Sequence, residues 1–310
     1  MTPGPEKVLS ASRRTDIPAC HLDWFMESMQ RGCFDTTHPF TRQKRTIPVD
    51  PDTFCCIVFW SKNYDRFLTS RAGRTLEDMG YRLFFNFTVN SDSSLLEPRV
   101  LPLPRRLQQL GELADTFGPK AVSWRFDPIC FYRVYPDGPV ENNLSDFRKI
   151  ASFAAREGIQ ECVTSFFDPY RKIQTRLTRF NRLNRTAMTF IPLPLEKKIE
   201  IIDGLAAILE QHRMTLSLCC EKEVFNTLAE PLRSRVRQNA CIDGRKLGAL
   251  FNITPDMKRD YGQRAEKGCM CTRSVDIGSY EQHPCGHNCL FCYANPVMDT
   301  AKDPARIKLN

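Results

Sequence analysis

Six short apolar runs recur along the chain, separated by polar and helical segments. Each run is six to eight residues long and almost continuously hydrophobic, which is typical of strands buried on both faces of a parallel sheet. The runs are Lys7–Ser12, Cys55–Trp60, Arg82–Val89, Ala121–Phe126, Glu161–Phe166 and Thr215–Cys220.

Amphipathic stretches between several of these runs have the spacing of a helix. Apolar residues recur every three or four positions over 103–117, 144–154 and 195–209, and Gly118 and Gly158 end the first two stretches. Because parallel strands need a crossover helix between them, the alternation predicts an α/β fold. No glycine-rich phosphate loop follows the first run, so we expect a partial TIM-like barrel of about six β/α units rather than a dinucleotide-binding sheet.

The expected barrel occupies residues 1–239, and residues 240–310 form a cysteine-rich extension packed on it. Polar residues follow the predicted strands, where the carboxyl ends of parallel strands form a common rim. We expect Arg125, Asp127 and Glu221 to be catalytic residues on this rim, and Asn86 and Arg13 to bind a cofactor. Structural ion pairing is the alternative for the charged members of the set.

The cysteine content is high, at 14 of 310 residues. The N-terminus lacks the apolar core of a signal peptide, and no apolar run reaches the roughly 18 residues of a membrane span. We therefore expect a cytoplasmic protein with no membrane partner, in which clustered thiols bind metal rather than form disulfides. The six cysteines up to position 162 lack metal-binding spacing, and we interpret most of them as small buried hydrophobes.

Cys285, Cys289 and Cys292 form the sharpest motif, C-x3-C-x2-C, in a loop that contains His287. Three thiolates this close can hold three corners of an iron–sulfur cubane and leave the fourth iron open to a substrate or cofactor. Sulfur ligands also suit zinc, with His283, His287 or a distant cysteine completing the site. The spacing favours iron–sulfur and leaves zinc as the alternative.

The motif resembles the signature of the radical S-adenosylmethionine superfamily, with an aromatic residue, Phe291, before its last cysteine. The resemblance implies a [4Fe-4S] cluster whose open iron chelates S-adenosylmethionine, with Phe291 near the adenine. It also implies reductive cleavage of S-adenosylmethionine, abstraction of hydrogen from a substrate, and flavodoxin or ferredoxin as electron donor.

The whole chain also resembles an uncharacterised bacterial family with a C-terminal cysteine cluster. The segments that carry this second resemblance are SASRRTDIPA, CIVFWSKN, WRFDP, CIDG and the terminal CYAN after the cysteine motif. They are spread over nearly the full length, and they imply no established activity.

A second group of thiols lies upstream of the motif. Cys269 and Cys271 form a C-x-C pair. Cys219 lies at the end of a predicted strand, and Cys241 begins the CIDG turn. These four thiolates predict a second metal site, either a second iron–sulfur cluster or a structural zinc site. Isolated buried thiols are the alternative interpretation.

The segment 171–185 is rich in arginine and has no acidic residue, and the net charge of the chain is +8. Arg176, Arg179 and Arg182 share a helical face that would suit phosphates. This stripe supports an alternative function, a zinc- or iron-sulfur-stabilised nucleic-acid-binding module without radical chemistry. A small-molecule substrate, with an anionic group that arginines hold in the pocket, is the favoured partner.

Overall fold

The computed structural model describes residues 6–37 and 43–294, and this part of the chain forms thirteen strands and eleven helices. The strands are β1 (Lys7–Ala11), β2 (Cys33–Thr37), β3 (Lys44–Pro48), β4 (Phe54–Ser61), β5 (Arg82–Thr88), β6 (Val122–Ile129), β7 (Phe131–Arg133), β8 (Glu141–Asn142), β9 (Glu161–Phe166), β10 (Thr189–Phe190), β11 (Thr215–Leu218), β12 (Val236–Gln238) and β13 (Val275–Asp276).

The helices are α1 (Ile17–Cys20), α2 (Leu22–Arg31), α3 (Asp65–Thr69), α4 (Ala72–Asp78), α5 (Leu103–Phe117), α6 (Phe147–Arg156), α7 (Arg171–Asn184), α8 (Leu195–Glu210), α9 (Lys222–Thr227), α10 (Leu232–Arg235) and α11 (Gly244–Phe251). Two short 3-10 helices span Pro119–Ala121 and Ala265–Lys267. No helix in the described ranges is long and apolar enough to cross a bilayer.

Eight strands form one parallel sheet in the order β12-β11-β9-β6-β5-β4-β1-β13. The six predicted strands are confirmed as β1, β4, β5, β6, β9 and β11, and helices connect each of them to the next. The described strands leave the sheet open between β12 and β13, so no closed barrel forms. These edge strands were not predicted, because two or three residues carry no hydrophobic periodicity.

Alternate residues along β1, β4 and β5 enter two different apolar clusters. Leu9, Phe59 and Phe85 belong to the main core, which also contains apolar side chains of the crossover helices. Val8 and Phe84 belong to a cluster on the other face, which includes residues of α11. Burial on both faces explains the nearly continuous hydrophobicity of these runs, and each such side chain contributes about 1.5–3 kcal/mol.

Two small antiparallel sheets flank the parallel one. β2 pairs with β3, and β7 lies between β10 and β8. The second small sheet shares an apolar cluster with α7 and with the cysteine motif, to which Tyr132, Phe180, Phe190, Leu290 and Phe291 contribute. The motif is therefore anchored on a packed surface at the end of the sheet.

The predicted extension returns to the start of the chain through β13. Asp276 on β13 accepts hydrogen bonds from Ser10 Oγ at 2.8 Å, Ser12 Oγ at 2.6 Å and the Arg13 amide at 2.9 Å. Its carboxylate thus accepts hydrogen bonds from two hydroxyl groups and one backbone amide at the carboxyl end of β1. This pairing fixes where the segments before and after β13 leave the sheet.

We expect Asp276→Ala to lower the free energy of unfolding by about 2–4 kcal/mol, because it leaves several partly buried donors without their charged acceptor. Urea titration followed by circular dichroism measures the change. Asp52→Ala, at an exposed position, is the matched control and should change stability by less than about 0.5 kcal/mol. Equal effects of the two substitutions would show that Asp276 does not anchor the extension.

Candidate metal and cofactor site

A cavity of about 260 Å³ lies over the carboxyl ends of the parallel strands. Its lining contains residues at or just beyond the ends of six strands, β1, β4, β5, β6, β9 and β11. These residues are Ser12, Ser61, Thr88, Asp127, Ser165 and Cys219. Because both predicted cysteine groups also line this cavity, the structure brings all seven predicted metal-binding cysteines to one place.

The C-x3-C-x2-C loop follows β13 and folds against the rim. The Leu290 amide donates to the Leu96 carbonyl at 2.9 Å, and the Cys292 amide donates to the Cys289 carbonyl at 3.2 Å. Leu290 is 1% exposed, so an apolar side chain inside the motif holds the loop down. Cys285, Cys289 and Cys292 all reach the cavity from this loop.

Cys20, at the end of α1, is a neighbour of the motif that the sequence analysis did not assign to the site. Its thiol accepts from the Gly286 amide at 3.3 Å and hydrogen-bonds to Cys285. This thiol–thiol contact lowers the pKa of Cys20 and raises that of Cys285. Sγ of Cys20, Sγ of Cys285 and a ring nitrogen of His287 lie within 4.8 Å of one another, a spacing that could hold a single metal ion.

His287 is fixed by a buried carboxylate. Its Nε2 lies 2.7 Å from Asp16 Oδ2, and Asp16 also accepts from Ser61 Oγ at 2.7 Å and the Lys62 amide at 2.8 Å. Burial lowers the pKa of His287, but the Asp16 charge outweighs it and raises the pKa to about 9. The Asp16 carboxylate therefore stabilises the protonated imidazole, and the same contact would orient the ring if its other nitrogen bound a metal.

Arg176 is the part of the arginine stripe that reaches the motif. The side chain is 1% exposed and donates through Nη1 to the Cys289 carbonyl. Within the described ranges, its buried Nε and Nη2 have no hydrogen-bond partner. Burial lowers its pKa, and the charges of Cys292, Cys289 and Cys285 oppose that effect. Arg182 on the same helix is exposed, so the stripe does not present one continuous face to solvent.

Lys62 supplies a second cation beside the motif. Its Nζ lies 2.5 Å from Glu97 Oε1 and 5.3 Å from the centroid of the Phe291 ring. Burial lowers the pKa of Lys62, whereas the charges of Glu97 and Cys289 raise it and prevail. Burial raises the pKa of Cys289 and Lys62 lowers it, so the lysine favours the thiolate that a metal requires.

Five thiols, which we call the five-thiol ring, occupy the opposite wall of the cavity: Cys219, Cys220, Cys241, Cys269 and Cys271. Sγ of Cys219 lies 3.5 Å from Sγ of Cys241 and 3.9 Å from Sγ of Cys220. Hydrogen bonds from the thiols of Cys219 and Cys269 lower the pKa of Cys220 to about 4. Cys269 also contacts Cys271.

The predicted catalytic residues Arg125 and Asp127 line the cavity, and Arg125 contacts the five-thiol ring. Arg125 Nη1 donates to Cys241 Sγ at 3.1 Å, and Nη2 pairs with Asp127. Asp127 also accepts from Ser165 Oγ, and its amide donates to Asn90 Oδ1 at 2.9 Å. Arg125 is only 5% exposed, so these groups form a fixed polar wall.

The predicted cofactor residue Arg13 also lines the cavity. Its guanidinium carbon lies 5.2 Å from the centroid of a Trp60 ring, and Nη1 donates to Ser274 Oγ at 3.1 Å. The buried Nη2 has no hydrogen-bond partner in the part of the chain that the structure describes. Burial lowers the pKa of Arg13, but the charges of nearby thiols and carboxylates have the larger combined effect, so the pKa is raised overall. These groups are Cys271, Asp276, Cys241 and Asp260.

Two other predicted site residues lie behind the cavity wall. Glu221 accepts from the Phe166 amide at 2.8 Å, and burial raises its pKa. Asn86 Nδ2 donates to the Cys241 carbonyl at 3.3 Å. Neither residue is among those that line the cavity, so both are placed to support it rather than to contact a ligand.

Several residues at the site were missed because nothing near them in the sequence marks them. Cys20 is a single thiol without a metal-binding spacing, and it contacts Cys285 without itself lining the cavity. Cys220 lines the cavity but was not among the four thiolates predicted for the second metal site. Arg264, which lines the cavity, comes from an irregular segment before Cys269. The only available signal was the position of Cys20 shortly after the first strand.

The fold and this cavity define an α/β protein with an open parallel sheet and a thiol-rich site at the carboxyl ends of its strands. The model of the family described as "Domain of unknown function (DUF1848)" matches residues 8–294. The chain belongs to this family. A comparison with curated proteins gives no match.

Among solved structures, the chain is similar to one titled "Crystal structure of D-hydantoinase", with a TM-score of 0.31 and 12% sequence identity. The match covers 66% of this chain and 46% of that chain, so it spans less than half of that structure's length. A likeness at this level carries no argument about function.

We expect Arg176→Met to release iron at least about tenfold faster than the unchanged protein after anaerobic loading with iron and sulfide, because it removes the donor to the Cys289 carbonyl and the nearby positive charge. Iron transfer to a chelator, followed by absorbance, measures the rate. Arg182→Met is the matched control on the exposed side of α7 and should leave the rate unchanged. Identical rates for the two variants would contradict a role for Arg176 at the motif.

Proposed function

We propose that the protein is a radical S-adenosylmethionine enzyme whose [4Fe-4S] cluster is held by Cys285, Cys289 and Cys292. The observation that carries the proposal is the position of their loop. It directly follows β13, an edge strand parallel to β1, and it reaches a polar cavity at the carboxyl ends of the strands. The fold proposed with this function is a partial barrel that has its cofactor site on the carboxyl-end rim.

The spatial order of the strands accounts for the late position of the motif in the sequence. The resemblance implies a cysteine loop after the first strand of a barrel. In this sheet, β13 lies beside β1 at the edge, so it precedes β1 in space although it follows every other strand in the chain. A loop after β13 therefore has the surroundings that a loop after a first strand would have.

The residues around the motif fit an anionic cluster. The ligand set is three thiols, and thiolates are the usual ligands of iron–sulfur clusters. Arg176 has two buried N–H groups without partners, and the buried Lys62 ammonium faces Cys289. Cationic donors buried beside thiolates offset the negative charge that the cluster would bring into the protein.

Cys20 is a hydrogen-bond partner of the motif in this proposal rather than a fourth ligand. Its thiol hydrogen-bonds to that of Cys285. The motif already supplies three ligands, and the resemblance implies that the fourth iron binds S-adenosylmethionine rather than a protein thiol. The Cys285 thiol donates to Cys20 in this structure, and Cys20 would become the donor once Cys285 binds iron.

The cluster, when bound, supplies an electron that cleaves the sulfonium of S-adenosylmethionine to methionine and the 5′-deoxyadenosyl radical. The protein side chains hold and orient the reactants in the cavity. Phe291, packed under Lys62, is the proposed adenine contact. Arg125, held by Asp127, and Arg13, with its unpartnered Nη2, are the proposed contacts for carboxylate or other anionic groups. Flavodoxin or ferredoxin is the proposed electron donor.

A zinc protein that binds nucleic acid is the second candidate function. The spacing of Cys20, Cys285 and His287 within 4.8 Å favours a single metal ion at the motif. One observation weighs against this candidate: Arg176 is buried against the motif instead of facing a nucleic acid. Zinc analysis of the purified protein separates the two functions.

We expect the protein, loaded anaerobically with iron and sulfide and reduced with dithionite, to convert S-adenosylmethionine to 5′-deoxyadenosine and methionine. The triple variant Cys285→Ala, Cys289→Ala, Cys292→Ala should lose at least about 99% of this activity, because no cluster remains to deliver the electron. Mass spectrometry of both products measures the rate.

The matched control is a triple variant of cysteines outside the cavity, Cys33→Ala, Cys55→Ala, Cys162→Ala, which should retain the activity. Product formation by the Cys285 triple variant at the unchanged rate would overturn the proposal. A colourless protein with one equivalent of zinc and no product would favour the second candidate function.

A further inference from the structure

The five-thiol ring is a second concentration of metal-binding groups in the same cavity. Its members form a continuous series of contacts from Cys241 through Cys219, Cys220 and Cys269 to Cys271. The Ile242 amide lies 3.5 Å from Cys271 Sγ, which brings the two ends of the series back together. The thiols therefore surround a common space instead of lying along a line.

The local backbone is built to present these thiols together. Cys220 has a φ of 60°, in the left-handed region, so Cys219 and Cys220 depart from the alternation of a strand and both line the cavity. Gly268 has a φ of 90°, and a Cβ there would lie 2.8 Å from Lys222 Cβ. Glycine thus allows the Cys269–Cys271 segment to approach the residues that follow Cys220.

The spacing of the ring fits several metal atoms better than one. Zinc bound tetrahedrally by thiolates at about 2.3 Å would bring all its sulfur ligands to within about 4 Å of one another. In the described part of the chain, no three ring thiols have sulfur atoms that all lie within 4.8 Å of one another. The group that does meet this spacing is Cys20, Cys285 and His287 at the motif. A polynuclear cluster spreads its thiolates over several metal atoms and accepts the wider ring.

Buried and half-buried cations lie around the ring. Arg125 Nη1 donates to Cys241 Sγ at 3.1 Å, and the half-buried Arg264 lines the same cavity. Arg13 is half-buried beside the ring, and its Nη2, enclosed by protein, has no hydrogen-bond partner among the described residues. An unpartnered guanidinium nitrogen beside five thiols points to an anionic group that the ring would hold.

We propose that the five-thiol ring holds a second, polynuclear iron–sulfur cluster that faces the C-x3-C-x2-C loop across the shared cavity. A cubane has four corners, so at most four of the five thiols bind iron. This inference goes beyond the proposed function, because a cluster in the ring does not depend on the reaction of S-adenosylmethionine. A substrate bound in the cavity would lie between the two metal sites.

The test compares four proteins after anaerobic loading with iron and sulfide. They are the unchanged protein and the triple alanine variant of Cys285, Cys289 and Cys292, together with two double variants. The ring variant carries Cys269→Ala and Cys271→Ala, and the control carries Cys33→Ala and Cys55→Ala. Iron and acid-labile sulfide per chain are measured, together with the Mössbauer spectrum of ⁵⁷Fe-loaded protein. We expect about eight irons in the unchanged and control proteins and about four in each of the other two.

The ring proposal is overturned if the triple variant binds no iron, if it binds zinc in place of iron, or if the ring variant keeps the full iron content. Because the ring variant could fail to fold, the triple serine variant Cys241→Ser, Cys269→Ser, Cys271→Ser is the second variant, with circular dichroism as the check on folding. It leaves two ring thiols, too few to hold a cubane, and should bind about four fewer irons than the unchanged protein.

The two proposals fail in different ways in this experiment. A triple variant that retains about four irons supports the ring even if the unchanged protein does not cleave S-adenosylmethionine. A ring variant that cleaves S-adenosylmethionine and has lost no iron overturns the ring and leaves the proposed function standing.

Discussion

The parallel pairing of β13 with β1 is the constraint on which the site depends. Val275 and Asp276 pair with Leu9 and Ser10, and the Asp276 carboxylate binds the end of β1. Because β13 runs parallel to the other strands, its carboxyl end meets the same rim. The segment before β13 brings the C-x-C pair to the cavity, and the segment after it brings the C-x3-C-x2-C loop. One edge strand of two residues thus positions the C-x3-C-x2-C loop and the C-x-C pair of the ring, whereas Cys219, Cys220 and Cys241 follow β11 and β12.

Charge compensation is the second requirement, since burying many thiolates without cations would be unfavourable. Buried or half-buried cations lie beside each group: Arg176 and Lys62 at the loop, and Arg13, Arg125 and Arg264 at the ring. Burial raises the pKa of Cys289, so its deprotonation is coupled to metal binding and to the nearby lysine. The arginines of α7 that suggested a nucleic-acid surface in the sequence therefore differ in exposure. Arg176 is buried against the motif, whereas Arg182 is exposed to solvent.

The sequence predicted the six central strands because burial on both faces leaves continuous apolar runs, and it predicted both thiol groups because close spacing survives folding. It did not predict β12 or β13, whose few residues have no periodicity, nor the order that places β13 beside β1. Cys20 was interpreted as a buried hydrophobe because a lone thiol carries no spacing signal. Glu221 and Asn86 were expected in the site from their position after strands, but their contacts with the Phe166 amide and the Cys241 carbonyl place them behind its wall.

The most direct test of the account is electron paramagnetic resonance of the reduced protein with and without S-adenosylmethionine. The ring variant Cys269→Ala, Cys271→Ala is used so that the spectrum reports the C-x3-C-x2-C loop alone. We predict the signal of a reduced [4Fe-4S] cluster whose g values change when S-adenosylmethionine is added, because the cofactor binds the open iron. A spectrum that stays the same at saturating S-adenosylmethionine, or a protein that holds zinc and gives no signal, would contradict the account.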